Sequence, residues 1–303
     1  MRRSSIAATV AIFATVLSMS VLSMGAAVAT PPTGQVEFKD LTRSQAVDGL
    51  SVPIHPGTGL ASGSYTVAPG GETGWRDLPG AAILSVNKGK LTVHWAEGCS
   101  AKDYTAGQAA VVPAGTYMVA NSGNEPVDFY AFFFDQPLNG PKPLAEGPTA
   151  AAPANCTGAT AVPSGVSLTT PQIGTMAAGM FGNGATLDIA AGKDVYASYL
   201  DISPGWSSGW ISHRPAANIV SGGELSYVMA RDGKCDTSEK YHAGQAFYHP
   251  AHRHMAYNEG KEHVILYTMY FDLPHEPPAP VIGNTITAVD FTQAPPADCP
   301  RLR

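Results

Sequence analysis

Short runs of β-branched, aliphatic and aromatic residues recur along most of the chain, each ended by Gly, Pro or Asn. Ala82 to Val86, Leu91 to Trp95, Gln108 to Val112 and Val264 to Phe271 read as strands of this kind. No segment combines an apolar stripe at helical spacing with capping residues at its ends. The pattern predicts an all-β protein of many short strands, in a sandwich or a closed barrel, and closure has the advantage of leaving no sticky edge.

The start of the chain follows a different pattern. Arg2 and Arg3 precede an uncharged, mostly apolar run from Ile6 to Met24, and Ala27-Val28-Ala29 forms a small-x-small cleavage site. Residues 1–29 are therefore expected to be a signal peptide cut after Ala29, an uncleaved anchor being the alternative. Export would leave 16 basic residues against 24 acidic ones, a net charge of −8. With no Lys/Arg run anywhere, nucleic acid is excluded as a partner. No later stretch is apolar enough to span a bilayer, so no membrane association is expected once the signal is removed. The expected partner is a small-molecule ligand or substrate.

The chain repeats itself. Tyr104, Gly107-Gln108-Ala109, Pro113-Ala114, Asn121, Gly123, Glu125, Tyr130, Phe134-Asp135 and Pro137 return, 137 residues later and without a gap, as Tyr241, Gly244-Gln245-Ala246, Pro250-Ala251, Asn258, Gly260, Glu262, Tyr267, Phe271-Asp272 and Pro274. Upstream, Pro69-Gly70 and Gly74-Trp75 return as Pro204-Gly205 and Gly209-Trp210. So long a period implies duplication of a whole domain rather than a solenoid of short repeats. The expected organisation is a first domain over 30–140, an Ala/Pro-rich linker over 141–165 that carries Cys156, and a second domain over 166–303.

Four cysteines with no Cys-x-x-Cys pair favour disulfides in an exported chain. Cys99 matches Cys235, and Cys156 matches Cys299, so each copy is expected to close its own bridge. Pairing across the copies is the alternative.

At the second motif of each copy, the residues resemble the cupin superfamily. Gly107, Pro113, Gly115 and Asn121 hold the family's strand-turn-strand frame in copy one, with Tyr117 at its histidine position. Gly244, Pro250, His254 and Asn258 hold it in copy two, where His252 replaces the turn glycine. Alternation along that strand puts His252 and His254 on one face. The first motif is degraded. Gly209-Trp210-Ile211-Ser212-His213 keeps one of two histidines, and Gly74-Trp75-Arg76-Asp77-Leu78 keeps neither. The family's glutamate is absent, Ala217 and Asn218 standing in its place.

The resemblance implies two tandem double-stranded β-helix barrels, a bicupin. It implies a divalent transition metal (Mn, Fe, Cu, Ni or Zn) in the second barrel, with His213, His254 and His252 as ligands, and a metal-free first barrel. Trp210, Asn218, Asn258, Tyr117 and Arg76 are the candidate cavity residues for a substrate. His249 is expected to be a surface or core histidine without a function, because its side is set only by alternation next to Pro250. His242 is expected to face solvent, and His263 and His275 to be structural. The implied function is a metal-dependent oxidoreductase or lyase acting on a small oxygenated molecule. The alternative is a non-catalytic extracellular binding protein with relic metal sites. No serine-hydrolase elbow, phosphate loop or dinucleotide fingerprint is present.

Overall fold

A computed structural model describes residues 32–140, 142–146, 150–154, 156, 164–179, 184–231, 234–235, 239–275, 291–292, 295 and 299. The expected signal peptide lies outside the described residues, as does about half of the expected linker. The described part is nearly all β, with a short 3-10 turn at Glu97–Cys99. The strand segments expected from the sequence form as Ala82–Lys88, Lys90–Trp95, Gln108–Val112 and Val264–Leu273.

Hydrogen bonding closes a ring of ten strands. Around it run Val36–Ala46, Asp194–Ile202, Val264–Leu273, Ala216–Gly222, Gln245–His249, Ser164–Met176, Gly59–Glu72, Val127–Gln136, Ala82–Lys88 and Gln108–Val112. The last of these pairs back, in parallel, with Val36–Ala46. Each half of the chain supplies five strands. The leading strand of each half lies antiparallel on a strand of the other half: Val36–Ala46 on Asp194–Ile202, and Ser164–Met176 on Gly59–Glu72.

Each half lays a smaller sheet against its part of the ring. In the first half the order is Arg76–Leu78, Gly115–Ala120, Lys90–Trp95, Ala101–Thr105. In the second, Ile211–His213 pairs with His252–Tyr257, which pairs with Glu224–Arg231, and Glu239–His242 also pairs with Glu224–Arg231.

Because strand side chains alternate, a ring strand covered on both sides must be apolar on both faces. Val127–Gln136 meets this condition. Phe129, Ala131 and Phe133 enter a cluster belonging to the first half, while Tyr130, Phe132 and Phe134 enter a central cluster shared by both halves. Val264–Leu273 repeats the arrangement, with Val264 and Leu266 in a cluster of the second half and Tyr267, Met269 and Phe271 in the central one. Full burial of such side chains contributes roughly 1.5–3 kcal/mol each.

The recurrent polar residues are explained by one turn. Asn121 Nδ2 donates to the carbonyls of Val67 and Glu125 at 2.9 and 2.7 Å, and its Oδ1 accepts from Gly123 N at 2.9 Å. Asn258 makes the same three bonds with Ile202, Glu262 and Gly260, at 3.0, 2.9 and 3.0 Å. Gly89 and Gly223 repeat for a steric reason. Both have positive φ, at 78° and 71°, and a Cβ there would lie 2.9 Å from Pro126 O or 2.5 Å from His263 O.

Both disulfides fall within a copy, Cys99–Cys156 and Cys235–Cys299. Spanning 57 and 64 residues, each removes about 4 kcal/mol of loop entropy from the unfolded chain.

A second half without its partner would leave the edge of Asp194–Ile202 unpaired. A fragment of residues 164–303 is therefore expected to self-associate or aggregate, and adding residues 32–140 in trans to restore a discrete species. Light scattering after size exclusion checks this. A monodisperse, folded monomeric fragment would show that the exchanged strands are dispensable.

Candidate metal centre

Three histidines converge inside the second half. His213 ends the strand Ile211–His213, His254 lies directly across from Ile211 on His252–Tyr257, and His249 ends Gln245–His249 opposite Ala216. All three are buried, with 7%, 4% and 1% of their surface exposed for His213, His249 and His254. One potential ligand atom from each lies within 4.8 Å of the others. Nitrogens sharing one tetrahedral ion at about 2.1 Å would sit about 3.4 Å apart, so the group must close inward by about an ångström to chelate.

The protonation pattern suits a cation. His213 Nδ1 donates to Arg214 O at 2.6 Å, since a carbonyl only accepts, and this leaves the lone pair on Nε2. Among the described residues, neither ring nitrogen of His249 has a hydrogen-bond partner, nor has Nδ1 of His254. Buried polar atoms without partners each cost about 1–3 kcal/mol, a deficit that a coordinated ion would offset. Burial lowers the pKa of all three, His213 to about 4 and the other two well below the ordinary histidine value, so at neutral pH they are uncharged ligands. The donor set fits a divalent transition metal.

Two of the three ligands expected from sequence, His213 and His254, belong to this group, and its third member is His249. His252 borders the group, with its ring centroid 4.8 Å from that of His254 and 4.9 Å from that of His249, and its Nδ1 donates to Pro250 O at 2.7 Å. The strand Gln245–His249 explains the omission of His249. Ala246 and Tyr248 face the central cluster, Phe247 faces the second-half cluster, and with both faces buried the hydrophobic pattern does not reveal which way His249 points.

A cavity of about 20 Å³ adjoins the imidazoles, lined by His213, His254, Asn218, Trp206, Tyr227 and Tyr270 among others. Such a volume holds a water-sized guest. Asn218 thus takes a cavity position. Trp210 does not line it. It packs against Met255 and Cys299, and Trp206, which the sequence comparison with Trp75 did not single out, supplies the indole in the wall. The amide of Asn258 is committed to the backbone turn described above, which makes it a turn residue in both copies. The remaining described histidines of this half, His242, His263 and His275, pair with Glu224, Asp201 and Asp194 and are each more than half exposed.

In the first half the equivalent positions hold other side chains. Arg76 faces Tyr117 as Ile211 faces His254, Leu78 stands at the position of His213, and Val112 opposes Ala82 as His249 opposes Ala216. All four are buried, so Arg76 and Tyr117 lie in the interior of the first half.

An imidazole with a lowered folded-state pKa leaves the unfolded chain binding the extra proton between the two values, so stability is lost as pH falls through that window. For His213 the window runs from 6.5 down to about 4, and His249 and His254 act in the same direction. The thermal midpoint of the metal-free protein is expected to fall between pH 7 and 4, and His249→Leu to flatten the fall. A midpoint equally insensitive to pH in both proteins would mean that the imidazoles are not held buried and neutral.

No protein-family model matches the chain, and no curated protein does. Among solved structures, a tryptophan-to-tyrosine variant of oxalate decarboxylase from Bacillus subtilis is 15% identical, with a TM-score of 0.35 over 82% of this chain and 79% of that one. Oxalate decarboxylase from Bacillus subtilis at pH 4.6 is 16% identical, with a TM-score of 0.33 over 78% of each chain. These likenesses bring no chemistry to the present chain.

Proposed function

We propose that the chain is an exported, metal-dependent enzyme of bicupin type, built as two tandem barrels. In this reading only the second barrel carries a metal, on His213, His249 and His254, and it acts as an oxidoreductase or lyase on a small oxygenated molecule. The convergence of three buried, neutral imidazoles carries the proposal. Building such a cluster costs desolvation and unpaired polar atoms, and the first half, filled with Leu78, Val112 and Tyr117 at the matching positions, folds without it.

The export part rests on the leader pattern of residues 1–29 and on two disulfides, which persist in oxidising compartments. Among the described residues no helix is long and apolar enough to cross a membrane. The two-barrel part rests on the sequence repeat and on matched strand burial. Val127–Gln136 and Val264–Leu273 share one burial pattern, as do Gly115–Ala120 and His252–Tyr257.

A bound ion would supply Lewis-acid or oxygen-activating chemistry. The chain's own residues set the conditions for it. Arg214 O fixes the tautomer of His213, while Leu200, Ile202, Ile211 and Leu266 exclude bulk water and the rings of Tyr227 and Tyr270 wall the cavity. The second reading, a non-catalytic binding protein, is favoured by the cavity lining, which among the described residues includes no acidic side chain where a proton-transferring carboxylate would sit.

Purified exported protein is expected to contain one transition-metal ion per chain by elemental analysis. His249→Ala and His254→Ala are each expected to weaken metal binding at least about tenfold, while His252→Ala retains it. Equal loss with His252→Ala and retention with His249→Ala would reassign the third ligand. No metal in the exported wild type would leave the binding-protein reading in its place.

A further inference from the structure

Asn218 belongs to a buried polar row that the first half lacks. Across adjacent strands Ser198 lies opposite Thr268, and Thr268 opposite Asn218. All three are at most 2% exposed. The matching positions of the first half are Gly63, Ala131 and Leu84, paired in the same way. Thr268 Oγ1 donates to Asn218 Oδ1 at 2.8 Å, which turns the amide so that Nδ2 is the group left over. Nδ2 of Asn218 and Oγ of Ser198 have no hydrogen-bond partner among the described residues. A donor oriented by a neighbour and left unsatisfied beside a cavity is a subsite awaiting an acceptor.

Charge identifies that acceptor. Three neutral imidazoles leave a divalent ion with its full 2+ charge, and among the described residues no Asp or Glu lines the cavity to offset it. A buried, uncompensated dication is costly, so the site should recruit negative charge from solution. The cavity, at about 20 Å³, admits a solvent-sized guest and excludes a ring system.

We infer that the second-half site takes a small monovalent anion as a co-ligand of its metal, and that the amide of Asn218, oriented by Thr268, is the protein group that holds this anion. The inference rests on the proposed three-histidine metal site. Asn218 is a positioning and selectivity residue here: its donors favour an acceptor-bearing anion, and a carboxylate at the same position would remove the need for one. Size and charge together select ions of the class of azide, formate and halide over dicarboxylates or aromatic acids.

Cobalt(II) provides a spectroscopic test independent of any turnover. The full chain is loaded with Co2+, its stoichiometry is measured, and its visible d–d spectrum is followed during titration with azide, formate and chloride. One Co2+ per chain and a saturable spectral change at one azide per cobalt are expected. Asn218→Leu, which copies Leu84 of the first half, is expected to keep its cobalt and to weaken azide binding at least about tenfold. Thr268→Val provides a second, milder variant expected to weaken azide in the same direction, and Asn218→Asp is expected to keep cobalt and lose the azide response. One cobalt per chain with a spectrum indifferent to all three anions would overturn the anion inference alone, as would unchanged azide affinity in both Asn218→Leu and Thr268→Val. Absence of bound cobalt would overturn the metal site and the inference together.

Discussion

Every strand of the ten-strand ring needs a partner on both sides, and the two places where one half alone cannot supply it set the rest of the structure. Val36–Ala46 and Ser164–Met176 each hydrogen-bond in parallel with a strand of their own half and antiparallel with a strand of the other. The exchange leaves no free edge in the ring, since open edges are sites of aggregation. Inner ring strands such as Val127–Gln136 and Val264–Leu273 are apolar on two faces, one toward the shared central cluster and one toward the interior of their own half, whereas the leading strands Val36–Ala46 and Ser164–Met176 stay exposed over much of their length. A half that is held so firmly from outside can carry an interior that is far from optimal for stability.

The two interiors use this latitude differently. In the first, Leu78, Leu84, Val112 and Tyr117 are buried where the second half has His213, Asn218, His249 and His254. The second half therefore gives up apolar packing for three imidazoles and a polar row, while the first buries the guanidinium of Arg76 where the second has Ile211. Such concessions collect where a protein needs chemistry more than stability. Two disulfides, each worth about 4 kcal/mol by loop entropy, offset part of that cost and are fixed in the two copies at matching positions.

Local physics was legible in the sequence. Asn121 and Asn258 recur because the same turn needs one amide to satisfy three backbone groups, and Gly89 and Gly223 recur because no Cβ fits beside the next strand. The cysteine pairs followed from the repeat. His213 and His254 were singled out through the cupin resemblance, and the structure brings them into one group of histidines. What the sequence left hidden depends on burial from both sides and on distant pairing. His249 sits in a strand with no polar face to fix its direction, and Trp206 lines the cavity while the repeated Trp210 packs beside a disulfide. The ring's closure through both halves was equally hidden, because neither leading strand carries a local mark of the partner it selects.

The central claim is that His213, His249 and His254 share one ion. Anomalous diffraction at the metal edge, on crystals of the purified protein, tests it most directly. A single strong peak per chain is expected, about 2.1 Å from one nitrogen of each of these three imidazoles. A peak held by His252 in place of His249, or a well-ordered site without a peak, would contradict it.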